Sequence, residues 1–501
     1  MFPFTIVFNS RDVHLERIAA RLQNEGHEVT LLVANHYKST RDLAGVTLLR
    51  LPALLKAKDD KEDESLISSP LVKVGKDPIT CFRDLLEEDL RLCDVLFKDN
   101  HVLQKLKEAN YSLLLFDWEN LGASAILAQF LAIPSISLSY QGFTEYWLIT
   151  HQPSFYAYTP HYLSRFSDHM GFWERLENVR MMISDNLLYD EFISRAEVLK
   201  LRHFPNSSWP HLRYAHERVS MHLIAHAHFA FDYPRPIMPH VQTIPGLLWN
   251  PPKPLSKPFE DIMTSATNGV IIVSFGTGFP TLPKAKAEIF AKVFAKLSQT
   301  VIWRYVGPPP RSLGNNTHLV KWIPQNDALA HPTTKLFITH CGVSSTWETL
   351  YHAVPVVAMP LLWDQYQNAR KLTERAKMGQ TVSFLTLTET DLENAIEKVL
   401  KDRSYKENAQ KMSVLLQDTP WTGYEELSYW INYVIRHNGT LFLHSQPQYL
   451  LTWYQYFLID IIVFVTGLCC LVIVGTFICL VGLWQVLKLL LTFPTRKIKN
   501  A

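Results

Sequence analysis

Residues 336–348 combine a short apolar run, a turn of small residues and a helical pattern, and this succession allows few folds. The run 336–339 is apolar, aromatic and β-branched and stops at His340, so it predicts a buried strand. Gly342 lies in the turn, and the helical residues after it include Glu348. Free N–H groups and the dipole at a helix N-terminus favour an anion, which predicts a phosphate site here.

A second apolar run, residues 356–359, ends at Pro360 and is followed by Asp364 and Gln365. Carboxylate and amide side chains at the end of a strand suit sugar hydroxyls, because they accept and donate several hydrogen bonds. The two segments together indicate a site for a phosphorylated sugar.

Strand-like and helical segments alternate in both halves of the chain, which predicts parallel sheets covered by helices. Hydrophobic residues make up 47% of the 501 residues and charged residues 19%, as in a globular protein with two domains. The net charge of +2 gives no basis for a nucleic-acid partner. The main strand-like segments are residues 4–8, 29–33, 112–116, 135–139 and 271–277.

Residues 461–487 contain no charge and only Gln485 as a strongly polar group. At about 1.5 Å per residue this run is long enough to cross a bilayer with some tilt. Lys488 and further basic residues follow it, so the C-terminus is predicted to be cytosolic and the large domain luminal. Four sequons, at Asn110, Asn206, Asn315 and Asn438, agree with that orientation.

The chain opens on a strand-like segment with no basic region or cleavable apolar segment ahead of it. We therefore expect either a processed or truncated start, or a different route of translocation. At the other end, Lys497 and Lys499 stand five and three residues from the C-terminus. This arrangement resembles the dilysine retrieval signal of endoplasmic-reticulum membrane proteins, and the alternative is an ordinary basic flank.

Ten residues of the 322–365 stretch fall at the spacing of the nucleotide-sugar signature of the UDP-glycosyltransferases, and the chain resembles this family. The resemblance covers nearly the whole chain, including residues 231–239 and 451–456, and is strongest to the membrane-bound animal UDP-glucuronosyltransferases. The ten residues are Trp322, Pro324, Gln325, His340, Gly342, Glu348, Pro355, Pro360, Asp364 and Gln365.

The resemblance implies two Rossmann-like doubly wound domains that face each other across a cleft, an arrangement called GT-B, plus one C-terminal transmembrane helix. The aromatic stretch 140–209 alternates poorly and is expected to hold an inserted acceptor pocket. The predicted segments are an acceptor-binding domain (1–245), a Pro-rich linker (246–258), a UDP-sugar-binding domain (259–422), a helical segment returning to the first domain (423–456), the transmembrane helix (457–487) and a basic tail (488–501).

The resemblance also assigns roles within the donor site. It implies that Trp322 stacks on the uracil, that Gln325 contacts the base or ribose, and that Glu348 accepts hydrogen bonds from the ribose hydroxyls. Relatives often have Gly at Cys341, Asn or His at Ser344 and Gly at Ser345, so the sugar stays open between glucuronic acid, the first expectation, and glucose. The predicted UDP-sugar-binding residues are Gly276, Thr277, Trp322, Gln325, His340, Gly342, Ser344, Glu348, Asp364 and Gln365.

The acceptor base has two candidates. The resemblance implies a His after the first strand and an Asp that orients it, and Asp117 matches the Asp. Counting back from Gly26 places the His slot on Arg11, whereas counting forward from Phe8 places it nearer His14. Helical phase puts Arg11 about 40° and His14 about 100° from Leu15, which favours Arg11. Arginine stays protonated, so we predict His14 as the base, brought beside Asp117 by a later start of the helix.

A metal site is not expected. His222, His226 and His228 lie in one strand-like segment without a paired carboxylate or cysteine cluster, and the resemblance implies a metal-independent reaction without a cofactor.

The predicted function is inverting transfer of a sugar from a UDP-sugar to a hydroxyl of a small lipophilic acceptor. One alternative is a glucosyltransferase for similar acceptors. Another is a catalytically weak UDP-sugar-binding partner of active relatives. The implied partners are UDP-glucuronic acid or UDP-glucose, the acceptor, the membrane, and a homo- or hetero-oligomer.

Overall fold

The computed structural model describes residues 9–35, 37–39, 42–51, 78–140, 142–143, 152–153, 155–214, 219–247, 249 and 251–492. The predicted strand at residues 4–8 and the two lysines of the predicted retrieval signal, Lys497 and Lys499, lie outside these ranges. The chain forms two compact units, Met1–His444 and Ser445–Ala501.

Strands and helices alternate through the first unit, as the sequence predicts. The strands are β1 (Thr30–Ala34), β2 (Thr47–Leu51), β3 (Leu114–Asp117), β4 (Ser135–Ser139), β5 (Val219–Ile224), β6 (Val241–Thr243), β7 (Val270–Ser274), β8 (Thr300–Arg304), β9 (Thr317–Val320), β10 (Thr334–Thr339), β11 (Val356–Ala358) and β12 (Gly379–Thr381).

The helices of the first unit cover the sheets. They are α1 (Asn9–Asn24), α2 (Pro78–Lys98), α3 (Asn100–Glu108), α4 (Leu121–Leu131), α5 (Phe172–His203), α6 (Lys257–Ser265), α7 (Lys284–Ala295), α8 (Gln325–Ala330), α9 (Val343–Tyr351), α10 (Gln365–Arg370), α11 (Glu389–Lys401), α12 (Ser404–Gln417) and α13 (Gly423–Arg436).

The C-terminal lobe is built on a six-stranded parallel sheet in the order β12-β11-β10-β7-β8-β9. Its inner strands are rich in apolar residues because helices cover both faces, and all five residues of β7 are buried. The strand order reverses between β7 and β10. In open α/β sheets, ligands bind beyond the carboxyl ends of the strands at this switch point.

The described part of the N-terminal lobe contains two parallel sheets, the pair β1-β2 and the four strands β3-β4-β5-β6. One apolar cluster joins these sheets to α1, α2, α4 and α5. α13 also packs on this lobe, because it contacts β5 and α1 and contributes Leu427, Ile431 and Val434 to the same cluster.

The stretch 140–209 contains α5, a helix of 32 residues that its poorly alternating sequence does not indicate. The apolar periodicity is weak because the buried face of α5 is partly polar. Asn178 donates to the backbone oxygens of Tyr156 and Thr159, and Asp185 pairs with the His161 Nε2 at 3.2 Å. Such a face hides the helical pattern that apolar residues normally show.

The second unit contains the short helices α14 (Gln446–Leu450) and α15 (Trp453–Tyr456) and the long helix α16 (Ile459–Thr492). α16 has 34 residues and is long and apolar enough to cross a membrane. The helix begins at Ile459, two residues after the start of the predicted span, and continues to Thr492 instead of ending at residue 487.

Candidate functional site

A cleft of about 560 Å³ lies between the two lobes at the carboxyl ends of β7 and β10. All ten predicted UDP-sugar-binding residues line it, and so does His14. The N-terminal lobe contributes His14, Arg17, Tyr140 and His226 to its described lining. The structure therefore gathers residues that are up to 351 positions apart into one site.

The phosphate-binding candidates surround the His340 ring. A Cβ placed on Gly276 lies 2.6 Å from His340 Nε2, and one placed on Gly342 lies 2.5 Å from the same atom. Gly276 also has a φ of 72°, a conformation that side chains rarely adopt. These two glycines therefore leave the space that the imidazole occupies beside the N-terminus of α9.

Cys341 also has a left-handed backbone, with a φ of 63°, a conformation that glycine adopts most readily. Its N–H donates to Thr339 Oγ1 at 3.1 Å, and its side chain is fully buried. Burial raises the pKa of the thiol, so it stays protonated.

Gly342→Ala is expected to lower UDP-sugar affinity by about 10-fold, because the new methyl group displaces the imidazole and costs about one charge-assisted hydrogen bond. Equilibrium binding of a UDP-sugar measures this loss. Gly171→Ala is the matched control, since its Cβ meets only Glu174 Oε2, at an ordinary 3.6 Å. Equal affinities in the two variants would contradict the inference that glycine at position 342 is needed to leave room for the His340 ring.

Arg304 at the end of β8 supplies positive charge to the cleft. Its guanidinium donates to the Gly276 carbonyl oxygen and stands 5.7 Å from the centre of the Trp322 ring. Burial and the charge of Arg304 lower the pKa of His340 to about 4, so the imidazole is neutral at pH 7. The positive charge in this part of the cleft therefore comes from Arg304 and from the α9 N-terminus, whereas His340 can offer a neutral hydrogen bond.

Sequence reasoning missed Arg304. The available signal was an arginine that directly follows the apolar strand residues 301–303, because a strand end beside the switch point faces the ligand.

The nucleoside-binding candidates form one connected group. Trp322 is 63% exposed, so its ring is open for stacking and is not part of the core. Gln325 Nε2 donates to Glu348 Oε2 at 2.6 Å and to Ser345 Oγ at 3.0 Å. Burial raises the pKa of Glu348 to about 7, and the Gln325 hydrogen bond and the Arg17 charge oppose that rise.

The sugar-binding candidates Asp364 and Gln365 stand at the start of α10, after the turn that follows β11. Asp364 Oδ2 accepts a hydrogen bond from Asn368 Nδ2 at 2.7 Å. Gln365 Oε1 accepts from the N–H groups of Leu361 and Leu362, both at 2.9 Å. The amide oxygen is thereby committed to the turn, and Nε2 is the Gln365 atom suited to a sugar hydroxyl.

His14 faces the cleft from α1. Its Nε2 lies 3.4 Å from Ser344 Oγ on the opposite lobe, and its ring stacks on Tyr140 with centroids 5.9 Å apart. α1 begins at Asn9, so the expected later start of the helix is wrong and is not needed to place His14 in the cleft. The Arg11 side chain lies outside the described part.

Asp117 is the last residue of β3 and is 1% exposed. It does not belong to the described lining of the cleft. Its role in orienting His14 stays a prediction, as does the role of His14 as the base.

His222, His226 and His228 have different neighbours in the fold. His226 lines the cleft and tilts against Tyr140, whereas His222 contacts His240 and His228 stacks on Phe229. Within the described ranges, no group of three or more His, Cys, Asp or Glu side chains is placed to hold a metal ion.

A known family matches most of the chain. The model of the family described as UDP-glucoronosyl and UDP-glucosyl transferase matches residues 7–490. The chain is 33% identical over 488 residues to UDP-glucuronosyltransferase 1A1 of Homo sapiens, covering 92% of this chain and 86% of that protein. It is 36% identical to UDP-glucuronosyltransferase 1A6 of Mus musculus, covering 77% and 72%.

Solved structures with the same fold have low sequence identity. The spinosyn forosaminyltransferase SpnP superposes with a TM-score of 0.59 at 14% identity, covering 86% of this chain and 98% of that one. The calicheamicin glycosyltransferase CalG4 gives a TM-score of 0.53 at 15% identity, covering 87% and 97%. These neighbours have the GT-B fold, which confirms the predicted fold class.

Proposed function

This chain belongs to the UDP-glucoronosyl and UDP-glucosyl transferase family, and from that membership we propose that it transfers glucuronic acid from UDP-glucuronic acid to a hydroxyl of a small lipophilic acceptor, with inversion at the anomeric carbon. It is a UDP-glycosyltransferase, so the sugar and the acceptor are the parts proposed. The two relatives described above are UDP-glucuronosyltransferases, which supports glucuronic acid.

One observation carries the proposal. A single cleft at the switch point holds groups for every part of a UDP-sugar, with an imidazole on the facing lobe. Trp322 and Glu348 suit the base and ribose, the α9 N-terminus suits the diphosphate, and Asp364 suits the sugar. We infer that a UDP-sugar bound by these groups presents its anomeric carbon to the N-terminal lobe, where His14 lies.

In the proposed reaction, His14 takes the proton of the acceptor hydroxyl as its oxygen bonds to the anomeric carbon. The bond between that carbon and the diphosphate oxygen breaks, and UDP leaves with the electron pair. Arg304 and the α9 N–H groups stabilise the charge that grows on the diphosphate, and neutral His340 adds a hydrogen bond. Attack opposite to the leaving group gives the inverted product.

A donor panel tests the proposed sugar. The purified full chain is offered UDP-glucuronic acid, UDP-glucose and UDP-N-acetylglucosamine with the same set of phenols, and conjugates are measured by mass. We expect the highest kcat/KM with UDP-glucuronic acid. A preference for UDP-glucose would identify glucose as the transferred sugar. UDP-sugar binding without turnover of any donor would indicate a catalytically weak binding partner of active relatives.

We also propose that α16 anchors the chain in the endoplasmic-reticulum membrane, with the catalytic unit in the lumen. A chain that ends at Tyr456 is expected to wash off membranes at alkaline pH, because it lacks the only membrane-length apolar helix of the described residues. A chain that lacks only residues 493–501 is the control and should remain bound. A truncated chain that stays on the membrane would reveal a second anchor.

The raised pKa of Glu348 predicts a pH-dependent donor affinity. Ribose hydroxyls bind the carboxylate better than the acid, so donor binding favours the ionised form and affinity should rise as the pH increases through about 7. UDP-glucuronic acid is a suitable ligand, because its diphosphate diester and carboxylate stay ionised in this range. Calorimetry between pH 6 and 8 measures the change.

Glu348→Gln is the matched variant for this measurement. It should bind more weakly at pH 8, by about 1–3 kcal/mol, and show a flat pH profile. The same pH dependence in both proteins would exclude Glu348 as the titrating group and would remove the support for its ribose contact.

A further inference from the structure

Trp363 has an unusual backbone conformation for a bulky residue. Its φ of 49° lies in the left-handed region, where a large side chain is unfavourable. Ala132 and Ala353, which also have positive φ, stand at helix C-termini, where this conformation is common. Trp363 instead precedes a helix, directly before Asp364 in the wall of the cleft. An unfavourable conformation that persists at a binding site points to a function.

The Trp363 side chain connects the two lobes. It lines the cleft and is partly buried. Among the described residues, it is the one that packs both against the apolar cluster of the N-terminal lobe and against the cluster that includes Leu361 and Leu362 of the C-terminal lobe. The indole therefore stands where the donor-binding wall meets the acceptor-binding lobe.

The turn that carries Trp363 is held on both sides. Gln365 Oε1 fixes the N–H groups of Leu361 and Leu362 before it, and Asn368 binds the Asp364 carboxylate after it. These hydrogen bonds fix the turn, and packing against both apolar clusters restricts the indole, so an acceptor that contacts it costs little further side-chain entropy.

We propose that Trp363 is the acceptor platform of this enzyme, the surface on which a planar aromatic acceptor lies while its hydroxyl reaches His14. This proposal rests on the proposed function and adds a substrate class to it. The indole offers a flat apolar face beside the sugar candidates Asp364 and Gln365, and aromatic rings gain offset stacking on such a face. Tyr140, stacked on His14, adds a second aromatic ring to the same cleft.

The test compares two acceptors with one carbon skeleton, planar 1-naphthol and saturated decahydro-1-naphthol. Their dissociation constants are measured by equilibrium dialysis on the purified full chain saturated with UDP, so the result does not depend on turnover. The variants are Trp363→Phe, which keeps a ring, Trp363→Leu, which keeps apolar volume, and Trp363→Gly, which also relieves the backbone. Trp421→Leu is the control, since this tryptophan is half exposed and lies outside the described lining of the cleft.

We expect Trp363→Leu and Trp363→Gly to bind 1-naphthol about 10-fold more weakly, the loss of an aromatic contact and its buried area. Trp363→Phe and Trp421→Leu should stay within about 3-fold of the parent, and decahydro-1-naphthol should change little in Trp363→Leu. Unchanged 1-naphthol binding in Trp363→Gly would overturn the proposal. An equal loss of both acceptors and of UDP would also overturn it, by assigning Trp363 to lobe packing alone.

The two proposals can fail separately. If no UDP-sugar is turned over by the parent chain, the proposed function fails, while selective loss of 1-naphthol binding would still support the platform. If glucuronides form but every Trp363 variant binds 1-naphthol normally, the platform fails and the proposed function stands.

Discussion

His14→Ala is expected to lower turnover by about 10²–10⁴-fold while leaving UDP-sugar affinity unchanged, the range that a lost general base produces. The imidazole lies in the cleft on the lobe that is expected to bind the acceptor, and its Nε2 lies 3.4 Å from Ser344 Oγ of the opposite lobe. Single-turnover rates and equilibrium binding of the donor separate the two effects. Asp117→Asn should act in the same direction, with a smaller loss.

His101→Ala is the control for this experiment, because His101 is an exposed histidine of α3. Full activity in His14→Ala would contradict the assignment. Arg11 would then remain as an electrostatic residue. The reaction would need a base elsewhere, or an acceptor acidic enough to lose its proton without one.

Asp364→Asn is expected to reduce kcat/KM for the UDP-sugar by about 10–100-fold, the cost of weakening a hydrogen bond to a charged group. The Asn368 hydrogen bond fixes the side chain, and the change to an amide removes the charged acceptor without changing its size. Affinity for UDP serves as the internal control, because UDP lacks the transferred sugar that Asp364 is expected to contact. If UDP affinity falls by the same factor, the variant is misfolded or Asp364 does not contact the sugar.

The donor half of the site was predictable because its signals are local. Each of its segments is a short strand, a tight turn and a helix start, so residue type and spacing along a few dozen positions place His340, Gly342, Glu348 and Asp364 together. The parallel pairing of the strands also follows from alternation, since parallel strands need helical crossovers.

The other half depends on contacts that are distant in sequence. Arg304 reaches the cleft because β8 lies next to β7, which a linear pattern does not show. Trp363 has no sequence signal, since its left-handed backbone and its contacts with both lobes exist only in the folded chain. The buried polar residues of α5 hid that helix, because each is satisfied by a partner many positions away.

The anomeric configuration of the product tests the central claim most directly. Proton NMR of the conjugate formed from UDP-α-D-glucuronic acid and a phenol distinguishes the two anomers by their coupling constants. A cleft that holds the donor on one lobe and His14 on the other allows direct attack opposite to the leaving UDP, so we predict the β-glucuronide alone. Formation of the α-glucuronide would contradict that geometry and would require a covalent intermediate or attack from the same face.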